Sequence, residues 1–509
     1  MNATKLVILD LKSNLNIKEN DCHYIKLSSG SINLINSKQL FIKKYLNRYY
    51  EKFKQKLIFN FKNKIRSSKL SFLQECEVFN LRNDKEIFIN KLIVILIIKK
   101  FILKDSKLAK VITDDYFTYQ VFKKMRFNVD YYGKTKKLYY FSFLKVLKFY
   151  LKSLLILLLV RFSKKKVLKK DYKNLYLSLY PNFYKDDNEC FFKKKNDLKL
   201  NFLLTDETHL NTKLKDIKNK ILNFNQINTI NMENFIYFSD ILILIFLLPF
   251  KIFKIFSDLD QKLIIENCDF SDFFKNYINI SIVNRLKLEI YNQSMSRFKK
   301  QFPDIKNFHY YMFEYSFGFF LARLFKKNFK KTQLIGYQHG IFSDNIMWLD
   351  VIKTDKRYLP NKILAQNKFS LKDYKTKVKN NNIYLNKKIN KIKKPFTFIK
   401  NKKNKNKILI FTGLHDARDI YNLVLNKGNK NVKDIYYFKF HPRTRFNFSP
   451  NKSMKKIEKV NINFFSSILI SQTSSLVYDF INSNEKFNTI ACDYRTSLTS
   501  SKFRKKYEL

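Results

Sequence analysis

Short apolar runs that stop abruptly at small, polar or acidic residues recur along the chain and alternate with longer helical patterns. The segment Lys5–Asp10 is β-branched, apolar and closed by an aspartate, the pattern of a first strand. Residues 86–103 have helical length and composition. Residues 109–113 read as a strand tipped by Asp114 and Asp115, 116–125 as a helix, and 127–132 as a strand ahead of Gly133. A long apolar-aromatic helix is predicted over 138–162, followed by a basic hinge at 163–170. Strands follow at 175–180 and 200–204, helices at 278–302 and 310–325, and strands at 331–337 and 362–366. Lys and Asn dominate 373–407 with little apolar periodicity, which marks a linker. Beyond it, strands at 408–412, 435–440, 460–464, 468–471 and 488–492 alternate with helices at 419–426 and 476–483. Strands alternating with helices imply parallel sheets covered on both faces. The expected class is therefore α/β, with one unit over 1–372, the linker, and a second unit over 408–509.

At 509 residues the chain exceeds one ordinary core, and 45% hydrophobic residues suffice for several. The balance of 99 Lys+Arg against 42 Asp+Glu gives a formal charge of +57, which attracts polyanions: nucleic acid, anionic lipid or phosphorylated substrates. Part of the lysine excess is what codon drift in an AT-rich genome produces. The lysines are spread along the chain, with no RNA-binding signature, zinc-finger spacing or helix-turn-helix, so no specific nucleic acid is expected. Five scattered cysteines without a Cys-x-x-Cys pair fit a reducing compartment, with neither a disulfide framework nor a cysteine metal site. The only apolar run near the N-terminus, 6–9, is too short for a signal peptide.

Three apolar runs, 92–98, 154–160 and 241–250, fall short of the roughly 18 to 20 residues a spanning helix needs. The first reads as a buried helix. The other two are followed by Lys or Arg and fit a buried helix or an interfacial one equally, so 138–170 and 218–256 are membrane-contact candidates. The expectation is a cytoplasmic protein held peripherally on the inner face of the cytoplasmic membrane.

Chemistry concentrates at predicted strand ends. Gln338, His339 and Gly340 close the strand at 331–337, where an imidazole serves as general base or phosphate donor and glycine allows close backbone approach. His441 follows another strand, with Pro442 fixing the chain's exit and Arg443 and Arg445 supplying guanidinium forks suited to phosphate or simply solvated charge. Thr473, Ser474 and Ser475 precede a predicted helix, whose N-terminal N–H groups favour an anion; helix capping alone is the plainer use. Gly413 follows the strand at 408–412, and His415 lies in the same loop. His23, His209 and His309 read as structural or surface residues. No pattern indicates a protein-held metal, and no resident cofactor is implied.

The motifs Gly-Tyr-Gln-His-Gly (336–340), Lys-Phe-His-Pro (439–442) and Ser-Gln-Thr-Ser-Ser-Leu-Val-Tyr-Asp (471–479), in this order, resemble bacterial GT-B glycosyltransferases of surface carbohydrate synthesis. Similar patterns occur in CDP-glycerol glycerophosphotransferases and in capsule Kdo and sialic acid transferases. The likeness covers roughly 170–495. It implies two Rossmann-like domains facing across a cleft, a nucleotide sugar as donor and a glycan or lipid-linked glycan as acceptor. Carried over, it implies that His441, Ser474 and Ser475 hold the donor phosphate, with Thr473, Arg443 and Gly413 nearby. His339 would be the base or a phosphate partner, Glu314 the alternative base, and Gln338 and Gly340 acceptor-side. The chain departs from the pattern in a short C-terminal unit and a lysine-rich N-terminal extension.

Overall fold

The computed structural model describes residues 5–12, 14–28, 30–40, 42–68, 70, 72–76, 88–102, 109–133, 143–162, 171–180, 197–206, 228–312, 316–338, 349–350, 357–378, 382–386, 406–413, 416–428, 434–441, 444, 447–460, 464–474, 476–477, 480 and 487–490. In chain order β1 (Lys5–Asp10), β2 (Lys18–Asn20), β3 (Cys22–Lys26), β4 (Asn33–Ile35), β5 (Lys38–Gln39), β6 (Ala109–Thr113) and β7 (Asn128–Tyr131) open the fold. Helices α1 (Lys43–Ser67) and α2 (Phe88–Ile97) lie between β5 and β6, and α3 (Tyr116–Lys124) joins β6 to β7. The strands form a parallel sheet in the order β5-β3-β1-β6-β7, while β2 and β4 pair beside it.

After α4 (Phe143–Phe162) come β8 (Asn174–Tyr180), β9 (Leu198–Asp206) and β10 (Thr229–Asn231). Next are α5 (Phe238–Asp258), a small hairpin of β11 (Ile264–Ile265) and β12 (Cys268–Asp269), α6 (Ser271–Lys287) and α7 (Ser294–Gln301). The series β13 (Asn307–Met312), α8 (Ser316–Asn328), β14 (Gln333–Gln338), β15 (Lys362–Ala365), α9 (Lys368–Lys377) and β16 (Ile383–Leu385) completes a seven-stranded parallel sheet, ordered β10-β9-β8-β13-β14-β15-β16. A third parallel sheet holds β17 (Lys407–Phe411), β18 (Ile435–Lys439), β19 (Met454–Lys456), β20 (Ser467–Ser471) and β21 (Asn488–Ile490), with α10 (Ala417–Gly428) between its first two strands. Its order is β19-β18-β17-β20-β21.

The protein is thus α/β, built on parallel sheets of Rossmann-like layout. Counted within each sheet, all three begin with the order 3-2-1-4-5, so each reverses direction beside its first strand. Burial explains why the strands were readable: Ile468 to Ser471 in β20 and Leu334 to Gln338 in β14 are buried throughout, as parallel strands covered on both faces require.

Several expectations change. Two parallel sheets, not one, precede residue 372, and the second extends past it. Both α9 and β16 lie in or across the predicted linker, because Asn367 caps α9 by accepting the Ser370 N–H at 2.9 Å and β16 pairs with β15. Tyr310, Tyr311 and Met312 end strand β13 instead of starting a helix. Burial alternates along β13, and its aromatic residues pack on the sheet while its backbone pairs with β8 and β14. The predicted helix over 278–302 is broken by a 3₁₀ turn at Leu288–Tyr291. Val460 lies outside any strand; the edge position belongs to β19, whose single buried apolar residue, Met454, gives almost no sequence signal.

Lys287, at the end of α6, lies 5.7 Å over the Phe149 ring of α4. Burial, with Lys145 and Lys152 adding repulsion, pulls its ammonium down to about 8. Below that pH both folded and unfolded chains carry the proton, and the cost of burying charge is fully present. As pH rises from about 8 towards the ordinary lysine value the folded chain releases its proton first, so stability rises. Lys287→Met is expected to stabilise the protein near neutrality by on the order of 2 kcal/mol and to remove this rise. Urea unfolding at about pH 7 and about pH 9.5 checks it; an unchanged pH slope in the variant refutes it.

Candidate functional site

In the third sheet β18, β17 and β20 are neighbours, so their C-terminal ends lie side by side. The direction reverses between β17 and β20, where open parallel sheets form a ligand crevice. Sequence-predicted residues follow all three strand ends: Gly413 just past β17, His441 just past β18, and Thr473 with Ser474 just past β20. The half-exposed His441 accepts the Thr444 N–H at its carbonyl, 2.8 Å away.

The centre of the crevice is a residue that no sequence motif marks. Asp416, only 3% exposed, immediately precedes α10. Its Oδ1 accepts the Gly413 N–H at 2.8 Å, and its Oδ2 accepts the hydroxyls of Thr473 at 2.7 Å and of Ser471. The Ser471 hydroxyl in turn accepts the Thr473 N–H at 3.0 Å. This network tethers the β17 loop to the β20 loop. Gly413 is required by closeness: a Cβ there would sit 1.9 Å from the Thr473 hydroxyl oxygen. The visible signal was a carboxylate directly before a helix, where Asp favours the N-cap; here the side chain turns back to the strand end.

The network decides which groups remain for a ligand. The Thr473 hydroxyl is committed to Asp416, and the buried carboxylate disfavours an anion directly beside it. Ser474 is different: its Oγ accepts the Leu476 N–H at 3.4 Å, and its own hydrogen remains to be donated. Thr412 and Thr444, beside Gly413 and His441, have buried hydroxyls with no hydrogen-bond partner. Arg443, Arg445, His415 and Ser475 lie outside the described residues.

At the second sheet, Met312 and Gln338 are register partners at the ends of β13 and β14. The Gln338 side chain is 1% exposed; its Oε1 accepts the Gln366 N–H at 2.8 Å, and its Nε2 donates to Ser370 at 3.0 Å. It ties β14 to the start of α9. Glu314, His339 and Gly340 lie outside the described residues; in sequence, His339 follows directly on the end of β14 and Glu314 comes two residues after the end of β13. His309 stacks on Tyr176 at 4.4 Å, its Nδ1 lying 3.1 Å from the Tyr337 hydroxyl.

At the first sheet's reversal, the Lys91 ammonium of α2 bridges Asp10 of β1 at 2.6 Å and Asp115 past β6 at 2.5 Å. Burial opposes its charge, but the two carboxylates outweigh burial and hold its pKa well above the ordinary lysine value. Burial raises the neighbouring Asp114, whose Oδ1 has no hydrogen-bond partner.

Helices α4 and α5 pack on each other and carry an apolar face outward. On α4, Leu144, Leu151, Leu155, Leu158 and Leu159 are 45–70% exposed; on α5, Leu242, Ile243, Phe246, Leu247, Phe250 and Phe253 are 37–78% exposed. The opposite face of α5 buries only Ile241, Leu248 and Ile255. Exposed Lys145, Lys148, Arg161 and Lys254 lie on the same two helices. Among the described residues no helix is long and apolar enough to cross a membrane.

Comparison of the chain with protein-family models, with curated proteins and with solved structures finds no match.

Proposed function

We propose that the protein is a metal-independent glycosyltransferase of GT-B type, moving a sugar from a nucleotide-activated donor to a surface-glycan acceptor carried on a lipid. The observation that carries the reading is that Gly413, His441, Thr473 and Ser474 follow the C-terminal ends of three neighbouring strands of the third sheet, on and beside its reversal point. Of these, His441 and Ser474 are the positions that the resemblance assigns to the donor's phosphate. In this reading the second and third sheets, spanning 174–490, are the GT-B pair, and the first sheet is an added unit.

Departure of the nucleotide leaves negative charge on phosphate. An imidazole at His441 and the Ser474 hydroxyl supply preorganised donors to that charge. Asp416 holds the two loops in register instead of touching the phosphate. On the acceptor side, His339 serves as base on the acceptor hydroxyl, with Glu314 as alternative; both follow adjacent strand ends in sequence. The apolar face of α4 and α5, with lysines on the same helices, suits the boundary of an anionic membrane on which a lipid-linked acceptor is presented.

A thermal-shift and calorimetric screen against CMP-, CDP-, UDP-, GDP- and dTDP-linked ligands tests this. One nucleotide class is expected to stabilise the wild type, with affinity at least about tenfold weaker in His441→Ala, Ser474→Ala. A response to CDP-glycerol alone would instead assign polyol-phosphate transfer. Indifference to all nucleotides refutes the donor site.

A further inference from the structure

A second cavity, of about 580 Å³, opens between the 3₁₀ turn at Leu73–Glu75, the end of α6 with the turn that follows it, and the C-terminal half of α8. Its volume lies in the range of small-molecule sites, roughly 300–1,000 Å³. The last turn of α8 leads into the start of β14, so this cavity lies towards the N-terminal edge of the second sheet, away from the strand ends discussed above.

The lining is cationic. Arg285, Arg323, Lys327 and Arg357 face it, against the carboxylates of Glu75 and Glu289. Both carboxylates are already in use. Glu75 is bound by the Nε atoms of Arg285 and Arg323, and Glu289 by Lys251 from outside the lining. The Nη1 of Arg285, on a residue 4% exposed, is buried with no hydrogen-bond partner; the Glu289 Oε1 is 3.7 Å away, too far to accept from it. Such a charged donor is costly to leave unmet. Amide and hydroxyl groups of Asn292, Ser296 and Asn328 complete a mostly polar wall.

We infer that this cavity binds a small phosphorylated molecule, whose phosphate oxygens accept from Arg323, Lys327 and Arg357, above the buried positive charge of Arg285. Guanidinium forks match phosphate geometry, and the volume leaves room for an organic portion beyond the phosphate. The inference is independent of the donor crevice.

Inorganic pyrophosphate, titrated calorimetrically into the full chain at moderate salt, tests it. Saturable binding is expected, weakened at least about tenfold by Lys327→Ala, Arg357→Ala, whose residues are both exposed. Lys18→Ala, Lys52→Ala removes the same charge elsewhere and is expected to change nothing. Absence of saturable binding, no weakening in Lys327→Ala, Arg357→Ala, or equal loss in both charge-removing variants would each overturn the inference.

Discussion

Converting Phe246, Phe250 and Phe253 together to aspartate is expected to release the protein from anionic vesicles, lowering its partition by at least about a thousandfold. The three rings are 73%, 67% and 78% exposed and lie along one side of α5. Burying an exposed phenylalanine in an apolar environment is worth roughly 1.5–3 kcal/mol, so three contribute about 5 kcal/mol or more. Carboxylates in their place add repulsion from anionic headgroups. Because the rings contribute little to the core, the variant should keep the wild-type unfolding transition. Neutral vesicles separate the apolar share from the charge share, since each basic residue near an anionic surface adds only about 1 kcal/mol. Sedimentation with vesicles reads both. If the triple variant still sediments like the wild type, the exposed face is not a membrane surface.

Replacing Glu75 with alanine is expected to cost about 3–5 kcal/mol of stability, a large part of an ordinary domain's margin. Glu75 is fully buried and serves two guanidiniums, those of Arg285 and Arg323. The arginines also sit over aromatic rings: Arg285 over Phe72 and Phe320, and Arg323 over Phe320. Truncation strands two cations against apolar surface, with only Glu289 near one of them. The companion Glu75→Leu, Arg285→Met, Arg323→Met removes the charges together, and its cost should fall to within about 2 kcal/mol of wild type. Denaturant unfolding of the two variants decides the matter. A loss below about 1 kcal/mol in Glu75→Ala would mean that solvent already reaches the arginines.

The central strands were legible because each carries its signal locally. Residues 5–10, 109–113 and 468–471 are β-branched runs buried on both faces and closed by polar residues. β13 was not, since Asn-Phe-His-Tyr-Tyr-Met reads as aromatic in either period and only its pairing with β8 and β14 decides it. β16 and β19 are three-residue strands at sheet edges, too short to carry a period; β19 is one methionine followed by two lysines, and β16 (Ile-Tyr-Leu) stands alone in a Lys- and Asn-rich stretch. At the candidate site, Gly413, His441 and Ser474 were visible as residues following strands. Asp416 was not, because its role comes from β17 and β20 being neighbours, a contact across more than fifty residues. The presence of three sheets was hidden for the same reason: strand order is a property of pairing, and the alternation of strands and helices is equally compatible with one long sheet.

The Lys91 bridge has a consequence for how the N-terminal sheet meets its surroundings. Its reversal point holds a cation that is carried on the chain itself, so that occupant is never diluted or washed away. A magnesium ion or polyamine arriving from solution must compete with an ammonium whose local concentration is set by tethering, on the order of millimolar or above. The first sheet is in this sense self-buffered: changes in ambient divalent cation leave it as it is.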